Sequence, residues 1–186
     1  METTFEKQGI QFKIIDDDLM DPVCDFMWEH FFPDEPVSRS LNITRHSSLD
    51  EEILKDAMKD GSSMAAIDKN GAIIGVRIGK RKEKSQWTLK MFERHFDSLP
   101  DAVVSSMSGN AGMPTYRKLL ALVGFDVWKM FAELGCDQIY EDVGVCSARF
   151  SGVKGLGTEL VRRTDALAKE LGATHTYAAV TGMLKV

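Results

Sequence analysis

The sequence predicts a mixed α/β (α+β) fold, with strands and helices interleaved along a single domain over residues 1–186. Three observations predict it. Ile10, Phe12 and Ile14 alternate with other residues at the period of two that marks a half-buried strand. Asp68-Lys69-Asn70-Gly71 separates two short apolar runs and carries the Asn-Gly pair of a tight hairpin. Leu156, Leu160, Val161, Thr164, Leu167, Ala168 and Leu171 recur at helical spacing. With 186 residues, 44% of them hydrophobic, the chain is long enough for one sizeable core and too short to need two.

Residues 9–15 form the first expected strand. Asp21-Pro22 then supplies an N-cap and a proline at the first helical position, so a helix is expected to start there and end before Pro33. Ser48-Leu49-Asp50-Glu51 is a capping box, and Ile53, Leu54 and Ala57 carry the second helix to about Lys59. Gly61 closes it, and strands at 63–67 and 72–78 flank the hairpin, whose Asn70-Gly71 is expected to supply the positive backbone angles. Residues 83–112 are polar and mixed. Trp87, Met91, Phe92 and Phe96 suggest a helix there, and 105–112 a loop. From Pro114 an apolar stripe through Leu119, Val123, Val127, Phe131 and Leu134 predicts a helix stopped by Gly135. A strand at 139–146, a glycine-containing loop, the helix of 156–171 and a last strand at 174–180 complete the order.

The net charge of −5 and the lack of a basic face exclude an electrostatic footprint for nucleic acid. Lys80-Arg81-Lys82-Glu83-Lys84 reads as a solvated strand end. Glu2, Glu6 and Lys7 interrupt any signal-peptide core, and no apolar run approaches the ~18 residues of a membrane span. The expectation is a cytoplasmic protein that binds no membrane. Cys24, Cys136 and Cys146 are an odd number at wide spacing and read as reduced thiols. His30, His46, His95 and His175 lack metal-ligand spacing, so no metal site is expected.

The loop of residues 147–157 leads into a helix start bearing Gly152, Gly155 and Gly157, a place where unpaired amides can approach an anion. It is neither a dinucleotide fingerprint nor a P-loop, because Lys154 precedes the last glycine and Gly157 is followed by Thr158-Glu159. Gly155-Leu156-Gly157-Thr158-Glu159-Leu160-Val161-Arg162-Arg163 resembles the start of the coenzyme-A helix of GNAT-superfamily acetyltransferases. Phe31-Phe32-Pro33-Asp34-Glu35-Pro36-Val37 resembles the Phe-Phe-x-Asp-Glu-Pro segment of invertebrate arylalkylamine N-acetyltransferases. The order of elements from Gly9 to Val180 is similar as well.

The resemblance implies a GNAT-type, mostly antiparallel twisted sheet flanked by helices, with acetyl-CoA as co-substrate and a small amine as acceptor. It implies that Val143, Gly144 and Val145 line the acetyl-pantetheine arm, and that Val153, Lys154, Gly155, Leu156, Gly157 and Thr158 hold the pyrophosphate. Glu35 matches the family's water-mediated base, while Phe31, Phe32, Pro33 and Asp34 would border the amine, Asp34 capping the turn. Where the family places Arg or Gln three residues before the glycine equivalent to Gly155, this chain has Gly152, leaving Arg149 or Lys154 to supply the charge. The sequence also stops short of the family's last helix and strand pair, so the expected sheet lacks its last strands and exposes an edge open to self-association. The function implied is N-acetylation of arylalkylamines (monoamines). Its alternative is a catalytically weak CoA-binding or regulatory domain that associates through that edge.

Overall fold

The computed structural model describes residues 4–45, 48–86, 127–149 and 151–178. Five strands form one sheet in sequential order: β1 (Gln11–Ile14), β2 (Met64–Ile67), β3 (Ile73–Glu83), β4 (Gln138–Ser147) and β5 (His175–Ala178). The first three neighbouring pairs are antiparallel and β4–β5 is parallel, as a mostly antiparallel mixed sheet requires. Helices α1 (Thr4–Lys7), α2 (Asp17–His30), α3 (Pro36–Ser40), α4 (Ser48–Met58), α5 (Val127–Leu134) and α6 (Leu156–Glu170) complete the described elements with one turn of 3-10 helix at Lys84–Gln86.

Several boundaries differ from expectation. Helix α2 begins at Asp17, because Asp16 rather than Asp21 accepts the capping bond, from the Leu19 amide at 3.2 Å. Pro22 therefore lies inside the helix, which continues because Val23, Cys24, Phe26 and Met27 are buried on one face. In the β2–β3 hairpin only Gly71 has a positive φ, at 84°, and Asn70 does not. The Asp68 carbonyl accepts from the Gly71 amide at 3.0 Å, and the Asp68 carboxylate accepts from the amides of Asn70 and Ala72 at 2.8 and 2.9 Å, so a hydrogen-bonded turn braced by that side chain, with Gly71 alone at positive φ, closes the hairpin. Strand β3 runs five residues past the expected Ile78, since its basic stretch has partners: Lys82 meets Glu141 at 2.8 Å, and the Arg81 amide donates to Asp60 at 2.7 Å. Helices α1 and α3 were not foreseen. The suggested helix around Trp87–Phe96, the loop at 105–112, residues 114–126 of the expected long helix and the chain beyond Ala178 lie outside the described residues.

Alternation along β3 sorts the two faces. Val76 and Ile78 join Ala65, Phe26, Met27, Leu54, Ala57 and Met58 in the core under α2 and α4. Gly75 and Arg77 face α6. A Cβ at Gly75 would stand 3.0 Å from both Leu156 and Leu160, so the missing side chain lets the helix approach the sheet. Arg77, 1% exposed, lies under the helix. Its guanidinium donates to Asp142 of β4 at 3.0 Å, and to the Val161 carbonyl and Asp165 of α6 at 2.8 and 2.7 Å. Tyr140, on the same face, lies beneath it with its ring centroid 5.3 Å from the guanidinium carbon.

Removing one partner of a buried ion pair strands the other, so Arg77→Met should destabilise the fold by about 3–5 kcal/mol in urea unfolding. Lys80→Ala, which breaks only the more exposed Lys80–Asp56 pair, should cost within about 1 kcal/mol; similar midpoints for the two variants would disprove the clamp.

Candidate active site

Strand β4 is irregular where the acyl-donor arm is expected. Ile78 pairs with Gly144 and Gly79 with Asp142, so Val143 is an extra residue that β3 does not match, a β-bulge. Among the described residues β5 pairs with β4 only from Ile139 to Asp142. Beyond that point Val143 and Val145 are 38% and 39% exposed, apolar side chains flanking a backbone with no described strand on its β5 side.

The strand runs into a loop and then into α6. Gly155, the N-cap, holds φ +78°, a left-handed angle that a side chain would strain, and no side chain caps the helix. A Cβ built on Gly155 or Gly157 meets nothing within 4 Å, so open space lies over the helix start. The amides of Leu156, Gly157 and Thr158 belong to this first turn and have no intrahelical acceptor. The Leu156 side chain is buried with Leu160, Ile10 and Ile74, so that residue can offer only its backbone. Val153 packs against the same cluster, whereas Lys154 and Thr158 are exposed. Glu159 puts a carboxylate in the same turn, but Arg162 and Arg163 bind it at 2.7 to 2.8 Å. Those bonds, Arg162's first, hold its acid well below the ordinary range, at about 2. The pair thus offsets a charge that would otherwise repel an anion.

On the opposite face, the turn after α2 approaches β4. The Phe31 ring lies 3.7 Å from where a Gly144 Cβ would stand, and is half-buried. Phe32 is buried with its centroid 4.2 Å from that of Trp28, so it belongs to the core, while Pro33 is exposed on the turn. Glu35, 5% exposed, is the N-cap of α3, accepting from the amides of Val37 and Ser38 at 3.1 and 2.5 Å. The cap expected of Asp34 therefore belongs to Glu35. A one-residue offset explains it: the residue before Pro36, which occupies the first helical position, is the one whose carboxylate reaches the next amides. Asp34 instead pairs with Arg149. Cys146 lies behind this turn, its thiol pushed up to about 11 by burial and by the Asp34 charge, and so carries a proton at neutral pH.

The structure thus brings together the turn of residues 31–35, the bulged part of β4 and Arg149, with the start of α6 following in the chain. Sequence reasoning missed the bulge, the Arg77 clamp and the partnership of Arg149 with Asp34. In the sequence, Gly152 where the resemblance calls for Arg or Gln is the one signal that points to Arg149. Among the described residues no group of three or more His, Cys, Asp and Glu side chains could hold a metal ion, and no helix is long and apolar enough to cross a membrane.

No family model and no curated protein matches the sequence. Solved structures do. Arylalkylamine N-acetyltransferase 2 from Aedes aegypti superposes with a TM-score of 0.76 at 24% identity, over 94% of this chain and 77% of that one. The Drosophila melanogaster polyamine N-acetyltransferase, which forms N-acetylagmatine, gives 0.73 at 15% identity over 94% and 77%. A mosquito arylalkylamine N-acetyltransferase-like protein, 5b, gives 0.68 at 20% identity over 91% and 75%. With its mostly antiparallel five-stranded sheet and these superpositions, the chain has the GNAT acetyltransferase fold.

Proposed function

We propose that this chain is an acetyl-CoA-dependent N-acetyltransferase that acts on arylalkylamines of the monoamine type. The observation that carries the reading is the continuity of β4 and α6. A bulged strand whose second half lacks a described neighbour on its β5 side leads through a loop into an uncapped glycine helix start with open space above it. The backbone of Val143, Gly144 and Val145 would bind the pantetheine amides as a strand does. The amides from Val153 to Thr158, with Lys154 beside them, would take the pyrophosphate.

The amine nitrogen attacks the thioester carbonyl, the carbon–sulfur bond breaks, and an amide and the free thiol of CoA result. Glu35 would take the ammonium proton through water, making the nitrogen nucleophilic. A carboxylate accepts up to about four hydrogen bonds, so capping α3 and relaying a proton are compatible roles. Preorganised backbone donors at the bulge would stabilise charge developing on the carbonyl oxygen. Phe31 and Pro33 offer apolar surface to an aromatic ring, with Phe32 backing Phe31 from the core, and Asp34 offers a charge to the ammonium group. The aromatic ring requirement separates this reading from a polyamine one: tryptamine and dopamine should be turned over with higher kcat/KM than agmatine, and the reverse order would reassign the acceptor.

Acetyl-CoA should raise the melting temperature, since a ligand at 100 times its Kd adds about 2.7 kcal/mol. Gly157→Val places a side chain over the helix start at a position whose backbone tolerates one, so it should abolish that rise while the ligand-free protein still melts cooperatively. An undiminished rise would take the phosphates elsewhere.

Glu35→Gln should lower turnover by about 10²-fold, the scale of general-base loss, with CoA affinity unchanged. To separate proton transfer from capping, the pH–rate profile is decisive. Loss of a base removes the acidic limb of kcat/KM, whereas a merely loosened turn lowers the whole curve and leaves its shape.

A further inference from the structure

The side chains of Asp34 and Arg149 are 36% and 64% exposed, yet their ion pair joins two segments 115 positions apart, the turn before α3 and the loop after β4. Under the proposed function these segments serve different ligands. The loop faces the phosphates of the acyl donor, and the turn faces the ammonium group of the acceptor. Each half of the pair therefore carries the charge that one ligand seeks and is neutralised by the half that the other ligand seeks.

We propose that the Asp34–Arg149 pair is a latch that both ligands must open, and that by opening it either ligand favours binding of the other. The inference rests on the proposed reading of the site. A phosphate offers a guanidinium the same bidentate geometry as a carboxylate and more charge, so it competes with Asp34 for Arg149. Once Arg149 turns to the phosphate, Asp34 is left with an uncompensated charge beside the amine's approach. An ammonium ion arriving first does the converse and leaves Arg149 to the phosphates. An exposed pair is weak enough to be displaced. Because the pair opens once for two binding events, the coupling is reciprocal: each ligand tightens the other by the same factor. The expected factor is about two- to fivefold, the range an exposed ion pair supports.

Titration calorimetry with CoA, which cannot transfer an acetyl group, and tryptamine tests this. In the unaltered protein saturating tryptamine should tighten CoA about two- to fivefold, and saturating CoA should tighten tryptamine by the same factor. Both effects should shrink as salt is raised. Asp34→Asn should bind CoA more tightly than the unaltered protein when no amine is present, since Arg149 is released, and should lose the coupling. Arg149→Gln should also lose the coupling but bind tryptamine more tightly when CoA is absent. An Asp34→Asn variant with unchanged or weaker CoA affinity, or ligands that bind the unaltered protein independently, would overturn the latch while leaving the proposed function standing. Failure of the unaltered protein to bind CoA at all would overturn both. Melting curves of the two ligand-free variants, which should match the unaltered protein, exclude misfolding as the cause.

Discussion

A cation withdrawn from water must be met by partners in fixed places, and Arg77 is such a cation. Its guanidinium is bonded to β4 through Asp142 and to α6 through Val161 and Asp165, with Thr164 also in reach. The cost of burying the charge, several kcal/mol before compensation, makes any packing of helix on sheet that separates these groups unfavourable. Asp142 shows how close the balance is: burial pushes its acid above the ordinary range while the Arg77 charge pulls the other way. Because Asp142 borders the bulge and α6 begins just after its N-cap Gly155, this cluster fixes how the strand stands relative to the helix start. Both ends of the acyl donor's proposed path are thereby referred to the same buried group.

Legibility in the sequence followed the range of the interactions. Strand β1, the β2–β3 pair, α4 and α6 are readable because each is announced by neighbours in the chain, an alternation, a turn, a capping box and an apolar stripe, although the alternation of β1 fails at its end, where Ile14 is 47% exposed and Ile15 is buried. Helix α2 begins earlier than expected because Asp16, not Asp21, caps it, and the sequence offers an aspartate at each of 16, 17, 18 and 21. The glycine helix start was visible in the local pattern of Gly155-Leu156-Gly157. The bulge was not, since it exists only as a mismatch between β3 and β4. Arg77 reads in sequence as an ordinary strand arginine and becomes central only when α6 closes over it. Arg149 carried no local hint of its partner.

The turn after α2 shows how a short segment at the edge of the main core can fix a carboxylate in place. Pro36 fixes the backbone at the first position of α3, Glu35 fastens to the next two amides, and the Phe31 carbonyl accepts from the amides of Asp34 and Glu35, both at 3.0 Å. The carboxylate is thereby denied most of its rotamers before any ligand arrives. In the proposed proton relay such preorganisation would let folding rather than the encounter set the geometry. It also means that a substitution at Glu35 reports on two properties at once.

The extra residue at Val143 resets the phase of β4. Before it Tyr140 and Asp142 point toward α6; after it Val145 does, and Cys146 points to the other core with Val76. The strand is in effect two strands laid end to end with opposite parity. Its first half is committed to the helix face through the polar cluster, and its second half obeys its own alternation. Drift in the sequence of one half is thus uncoupled from the other. Residues 144–147 keep an alternation of their own beside the pattern that anchors residues 138–142, whereas losing Val143 would invert every side chain that follows.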